Sequence, residues 1–214
     1  MTQSAYTAII SEQLHISPKQ IEAVRELLTT EGILHAYEFS FDSPYVAAND
    51  EVSEYAKVSF TPGRPILAAA MDLTSRIFHE FEYRGGVSDV STPVREVFAM
   101  RKGVCQDFAH LQIACLRSLG LAARYVSGYL LTHPPEGKEK LVGSDASHAW
   151  LSVWSGSAGW IDFDPTNNLI PGVEHITIGW GRDYGDVSPI NGFIVGGGAH
   201  QITVAVDVNA VQAA

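Results

Sequence analysis

The apolar periodicity of this chain changes once, near Gly120, and that change restricts the fold more than any other feature. Before it, apolar residues recur at three and four. Residues 65–82 carry a stripe through Leu67, Ala70, Met71, Thr74, Ile77, Phe78 and Phe81. A short helix is expected from Thr92-Pro93, and residues 106–119 repeat Phe108, Leu111, Cys115 and Leu119, with Gly120 as the stop. After it the period is two, so residues 123–131, 147–154, 160–164, 174–179 and 200–208 read as strands. Helices followed by a run of strands predict an α+β fold with an antiparallel sheet, not a parallel βαβ array.

The remaining segments are plainer. Residues 5–16 read as a strand, and Ser17-Pro18-Lys19-Gln20 as a capped helix start with Gly32 as its stop. Residues 33–64 read as irregular, punctuated by Pro44 and Pro62, and residues 132–145 as a polar loop. At 214 residues the chain suits one main domain.

Charge and composition exclude several functions. A net charge of −10 with no Lys/Arg stripe predicts no nucleic-acid partner. No apolar run approaches the ~18 residues that span a bilayer, and residues 1–16 lack the pattern of a secretory leader. No membrane partner is expected, and the reading is cytoplasmic, with Cys105 and Cys115 reduced. No cofactor is expected either, because Val195-Gly196-Gly197-Gly198 lacks the strand–loop–helix setting of a phosphate cradle. A metal centre is not expected, since Cys105, His110 and Cys115 are spaced by five and residues five apart on a helix diverge by about 140°.

Three residues carry the chemistry. Cys105 follows Gly103 into a helix, where the dipole and free N–H groups of a first turn favour a thiolate and an oxyanion beside it. Cys115 lies roughly 15 Å further along at ~1.5 Å per residue and falls on the apolar stripe, so it reads as core. His148 begins a strand just after the polar loop, whereas His15, His35, His79, His133, His175 and His200 read as ordinary surface or loop residues. His110 is expected to point elsewhere. Asp164 ends the strand 160–164, and antiparallel pairing with 147–154 would set it beside His148, with Asp162 about two rungs further away. Each residue alone has a bland explanation: a buried thiol, a strand-end histidine, a turn-forming aspartate. Together they supply a nucleophile, a base and an orienting carboxylate.

The segments around them, GVCQDFA (103–109), SHAW (147–150) and GWIDFDPTN (159–167), resemble the Cys, His and Asp motifs of the transglutaminase-like superfamily. They are most similar to bacterial members regarded as candidate cysteine proteases. The resemblance covers residues 35–208 and extends to the segments 41–45, 127–129 and 181–186. It implies a papain-like α+β core, with the nucleophile at a helix N-terminus packed on the antiparallel sheet. Cys105 would be the nucleophile, His148 the general base and acid, and Asp164 the orienting carboxylate. The family aspartate stands four residues after a tryptophan, here Trp160, which favours Asp164 over Asp162. The implied activity is thiol-dependent hydrolysis or acyl transfer at amide bonds of a protein or peptide substrate, through a thioester. The alternative is an inert binding or scaffolding module. Relatives commonly carry a β-rich domain ahead of the core, so residues 1–16 are expected to be a remnant strand of it and residues 17–214 the catalytic domain.

Overall fold

The computed structural model describes residues 36–132, 147–189, 192, 196 and 205–209. The expected strand 5–16, the helix after Ser17 and the loop after Thr132 lie outside the described residues. So does most of the strand expected at 200–208; residues 205–209 carry only a bridge at Val206.

The segment read as irregular contains a helix, α1 (Asp50–Lys57). Asn49 caps it by accepting from the Val52 N–H at 3.0 Å, with Asp50 and Glu51 in the first turn and Lys57 in the last. Pro44 and Pro62 bracket this helix without interrupting it. Its stripe, Val52, Tyr55 and Ala56, has the i, i+3, i+4 spacing and is buried. The next helix, α2 (Ile66–Glu80), buries Ala69, Ala70, Leu73, Thr74 and Ile77. Its buried face is rotated from the expected stripe, for Leu73 is in the core and Phe78 is exposed. A two-residue strand β1 (Glu82–Tyr83) and helix α3 (Val94–Met100) follow. Strand β2 (Lys102–Gly103) then pairs with β1 in parallel and leads straight into α4 (Cys105–Ser118).

Helix α4 is the axis of the domain. Every residue from Asp107 to Arg117 is buried. It packs against α1, α2 and α3, and against two strands of the sheet. A helix enclosed on all sides must hide polar residues as well as apolar ones, and each is matched. Gln112 donates to the Ala70 carbonyl at 3.2 Å and to Thr74 Oγ1 at 2.8 Å, tying α4 to α2.

After Gly120, at φ 76°, come β3 (Ala123–Leu130), β4 (Ser147–Trp154), β5 (Trp160–Phe163) and β6 (His175–Gly181). They form one antiparallel sheet in the order β5-β4-β3-β6. The α+β architecture with an antiparallel sheet is therefore as expected. The connection from β5 to β6 runs from one edge of the sheet to the other, and the candidate site lies at its two ends.

The segments 41–45 and 181–186 are structural. Asp183 accepts from the N–H groups of Tyr45 at 3.0 Å and Gly185 at 2.8 Å. Arg117, buried on α4, spreads its guanidinium over the carbonyls of Phe39 (2.9 Å), Ala123 (2.9 Å) and Arg182 (2.7 Å) and reaches Ser43 Oγ at 3.2 Å. His110 Nε2 accepts from the Tyr184 N–H at 3.1 Å. This cluster fastens two distant loops to the central helix.

No helix among the described residues is long and apolar enough to cross a membrane.

Candidate active site

Cys105 is the first residue of α4, and its neighbours explain why the helix begins there. Asp107 turns back so that its Oδ2 accepts from the Val104 N–H at 2.8 Å and from Ser88 Oγ at 2.5 Å. A Cβ at Gly103 would stand 2.7 Å from that same Oδ2. The glycine is thus required by the close approach of the capping carboxylate. Cys105 is partly exposed, whereas Cys115 is fully buried, and both are free thiols. Burial pushes the Cys115 thiol up to about 12, as expected of a core residue.

His148, buried on β4, stands opposite Gly128 of β3. Its Nε2–H donates to Asp164 Oδ2 at 2.7 Å, and Cys105 lies near enough to help raise the basicity of the ring. With Nε2 committed to the carboxylate, Nδ1 is the nitrogen left for sulfur. Burial alone would lower the basicity of this ring, but the hydrogen bond to Asp164 and the nearby Cys105 outweigh it and hold its pKa up at about 9. The chain therefore brings together the three residues predicted from sequence.

Asp164 follows β5 directly and is 0 % exposed. Its Oδ1 accepts from the N–H groups of Thr166 (2.8 Å) and Asn167 (3.2 Å), a turn closed by the bridge between Asp164 and Leu169. Its Oδ2 accepts from His148, from Asn167 Nδ2 at 2.7 Å and from His175 Nε2 at 3.0 Å. Burial works to raise its pKa, yet the bonds from His148, His175 and Asn167 bring it down to about 2. Asp162 is engaged elsewhere, accepting from Trp150 Nε1 at 2.9 Å and from Ser152 Oγ.

Two members of the cluster were not predicted. His175, read as an ordinary surface or loop residue, lies in this cluster with its side chain only 5 % exposed. Its place near the start of the strand read at 174–179 was visible, but the fold of the β5–β6 connection onto Asp164 was not. Asn167 sits three residues after Asp164, a spacing that a turn through Pro165 could have suggested. Trp150 supports both histidines, its ring centroid 5.9 Å from His148 and 5.2 Å from His175. A Cβ at Gly128 would lie 2.6 Å from the Trp150 ring and 2.1 Å from the Ile176 carbonyl, so only glycine leaves this layer intact.

The donor atoms of His148, Asp164 and His175 lie within 4.8 Å of one another, close enough in principle to share a metal ion, but here they bond each other. Of the trio Cys105, His110 and Cys115 considered from sequence, His110 faces Tyr184 and Cys115 faces the core.

Comparison with known proteins shows the family and the fold. An uncharacterized Mycobacterium tuberculosis protein is 49 % identical over 178 residues, which is 81 % of this chain and 57 % of that protein. The chain thus spans little more than half the length of this relative. A protein-glutamine gamma-glutamyltransferase of Pseudomonas aeruginosa is 36 % identical over 76 residues, 35 % of this chain and 11 % of that enzyme. The crystal structure of a candidate cysteine protease from Cytophaga hutchinsonii superposes with a TM-score of 0.63 at 27 % identity, over 84 % of this chain and 54 % of that one. The model of the transglutaminase-like superfamily matches residues 55–165, which contain Cys105, His148 and Asp164 and stop short of His175. By that match, over more than half of its length, the chain belongs to the transglutaminase-like superfamily.

Proposed function

We propose that this protein is a thiol-dependent hydrolase or acyltransferase acting on amide bonds of a protein or peptide, with Cys105 as nucleophile, His148 as general base and acid, and Asp164 as the orienting carboxylate. The observation that carries this reading is the position of His148, hydrogen-bonded to a buried carboxylate and near enough to Cys105 for the thiol to raise its basicity.

In the forward step His148 Nδ1 takes the proton from Cys105 Sγ, and the thiolate attacks the substrate carbonyl carbon. The developing oxyanion lies at the N-terminus of α4, where backbone N–H groups and the helix dipole stabilise negative charge. The C–N bond breaks as Nδ1–H protonates the leaving nitrogen, which departs as an amine and leaves a thioester on Cys105. Water or a second amine, deprotonated by Nδ1, then attacks the thioester, and the C–S bond breaks to return the thiolate. A ring whose pKa is held near 9 keeps the proton at neutral pH and delivers it to a leaving amine. Asp164 faces Nε2 throughout and stabilises the imidazolium. A reducing, cytoplasmic setting suits the free thiol.

The test is a screen of peptide, isopeptide and glutamine-amide substrates with the wild type and Cys105→Ala. Wild-type turnover should exceed that of Cys105→Ala by at least about 10³-fold, in line with other nucleophile deletions. Turnover that survives Cys105→Ala and is lost in Cys115→Ala would overturn the assignment. No wild-type turnover, with Cys105 alkylated by iodoacetamide no faster than a model thiol, would favour an inert binding module.

A further inference from the structure

We propose that His175 is a positioning residue for the reaction: it clamps the Asp164 carboxylate from the far edge of the sheet, so that His175, Asp164 and His148 form one hydrogen-bonded row leading toward Cys105. This rests on the functional reading above and goes beyond the triad, since His175 lies outside the segment that matches the family.

The argument is geometric. The two oxygens of Asp164 are held in different ways. Oδ1 is bound by N–H groups of its own turn, Thr166 and Asn167, and would move with that turn. Oδ2, the oxygen that faces His148, also accepts from Asn167 Nδ2 of that turn, but it alone is tied, by His175, to a different strand. Strands β5 and β6 are at opposite edges of the sheet. The Asp164–His175 bond therefore closes the connection between them at its two ends, and references the carboxylate to the sheet that also carries His148. His175 can serve only as a donor here. Its Nε2–H is spent on the carboxylate, and Nδ1 is buried with no partner among the described residues. Trp150, seated over Gly128, packs against both imidazoles, which also contact each other at 5.8 Å between centroids.

Two variants separate donor from shape. His175→Phe keeps a ring against Trp150 but offers no N–H, and His175→Gln restores an N–H near the reach of Nε2. The readouts are the titration of the His148 ring by NMR, the alkylation rate of Cys105 by iodoacetamide across pH, and turnover. The groups facing His148 are Cys105, Asp164, Asn167, Trp150 and His175. In His175→Phe the carboxylate keeps the bonds of its own turn but loses its tie to β6 and its alignment on His148, so the His148 pKa should fall by about one unit or more, and kcat by about tenfold, with KM little changed. His175→Gln should recover most of both. A His148 pKa that is unchanged or raised in folded His175→Phe would overturn the proposal, as would equal impairment in the two variants. A wild type with no turnover sinks the hydrolase reading instead, because the His148 titration still reports on the clamp.

Discussion

Two polar clusters are buried along the same helix, and they differ in what their hydrogen bonds join. At the start of α4, Cys105, His148, Asp164, Asn167 and His175 bond mainly side chain to side chain. Further along, His110, Arg117 and Asp183 bond almost entirely to backbone N–H and C=O groups. The two buried histidines make the contrast sharp. Burial lowers the basicity of both, yet His148 is held up at about 9 while His110 is pushed down to about 4. His148 donates to a carboxylate; His110 accepts from an amide N–H and so must stay neutral. At His110 burial prevails and the ring stays neutral, whereas at His148 it is overridden.

The contrast predicts which cluster carries activity and which carries stability. The largest effect should come from Asp164→Asn, which preserves shape but favours the wrong tautomer of His148. Turnover should drop roughly 10²- to 10⁴-fold with a small change in Tm. Asp183→Asn should do the reverse, lowering Tm while leaving turnover per folded molecule within about twofold of wild type. Comparable losses of turnover in both would erase the distinction.

Next in size is Arg117→Leu, which strands the carbonyls of Phe39, Ala123 and Arg182 in the core. Urea unfolding should show a loss of about 3 kcal/mol, since each stranded polar group costs about 1–3 kcal/mol. Thiol reactivity at Cys105 should be retained in the folded fraction.

The smallest effect is the pH dependence of stability, where the two histidines act in opposite directions. The folded pKa of His148 is raised from 6.5, so its contribution is complete below about 6.5 and is lost as pH rises toward about 9. The folded pKa of His110 is lowered from 6.5, so its contribution is complete above about 6.5 and is lost as pH falls toward about 4. Stability measured by denaturant from pH 4 to 9 should peak between these slopes. His110→Gln should flatten the acid side only, and a flattened alkaline side would show that the two rings were assigned the wrong way round.

Much of this molecule was legible in its residues because the signals were local. The period change at Gly120 announces helices before strands, and the strand 147–154 was expected with the bounds that the fold shows. Gly103 and Cys105 at a helix start, His148 at a strand start and Asp164 at a strand end are each visible within a few positions. The helix α1 was not, because prolines on either side of it suggested a loop and its apolar face has only Val52, Tyr55 and Ala56 to declare it. Phe78 fell on the expected stripe of α2, but small rotations of a helix decide which edge residues are covered, and these depend on the partner surface.

The sequence by itself determined the helix-then-strand order, the sulfur at a helix N-terminus, and the carboxylate that an antiparallel hairpin would bring to an imidazole. Only the tertiary structure decided that His175, eleven residues beyond Asp164, returns to bind the same oxygen, and that His110 and Arg117 spend themselves on backbone instead of substrate. The reason is physical. Helical and strand periods and capping act over a few residues, whereas the path of the β5–β6 connection is set by packing across the whole sheet.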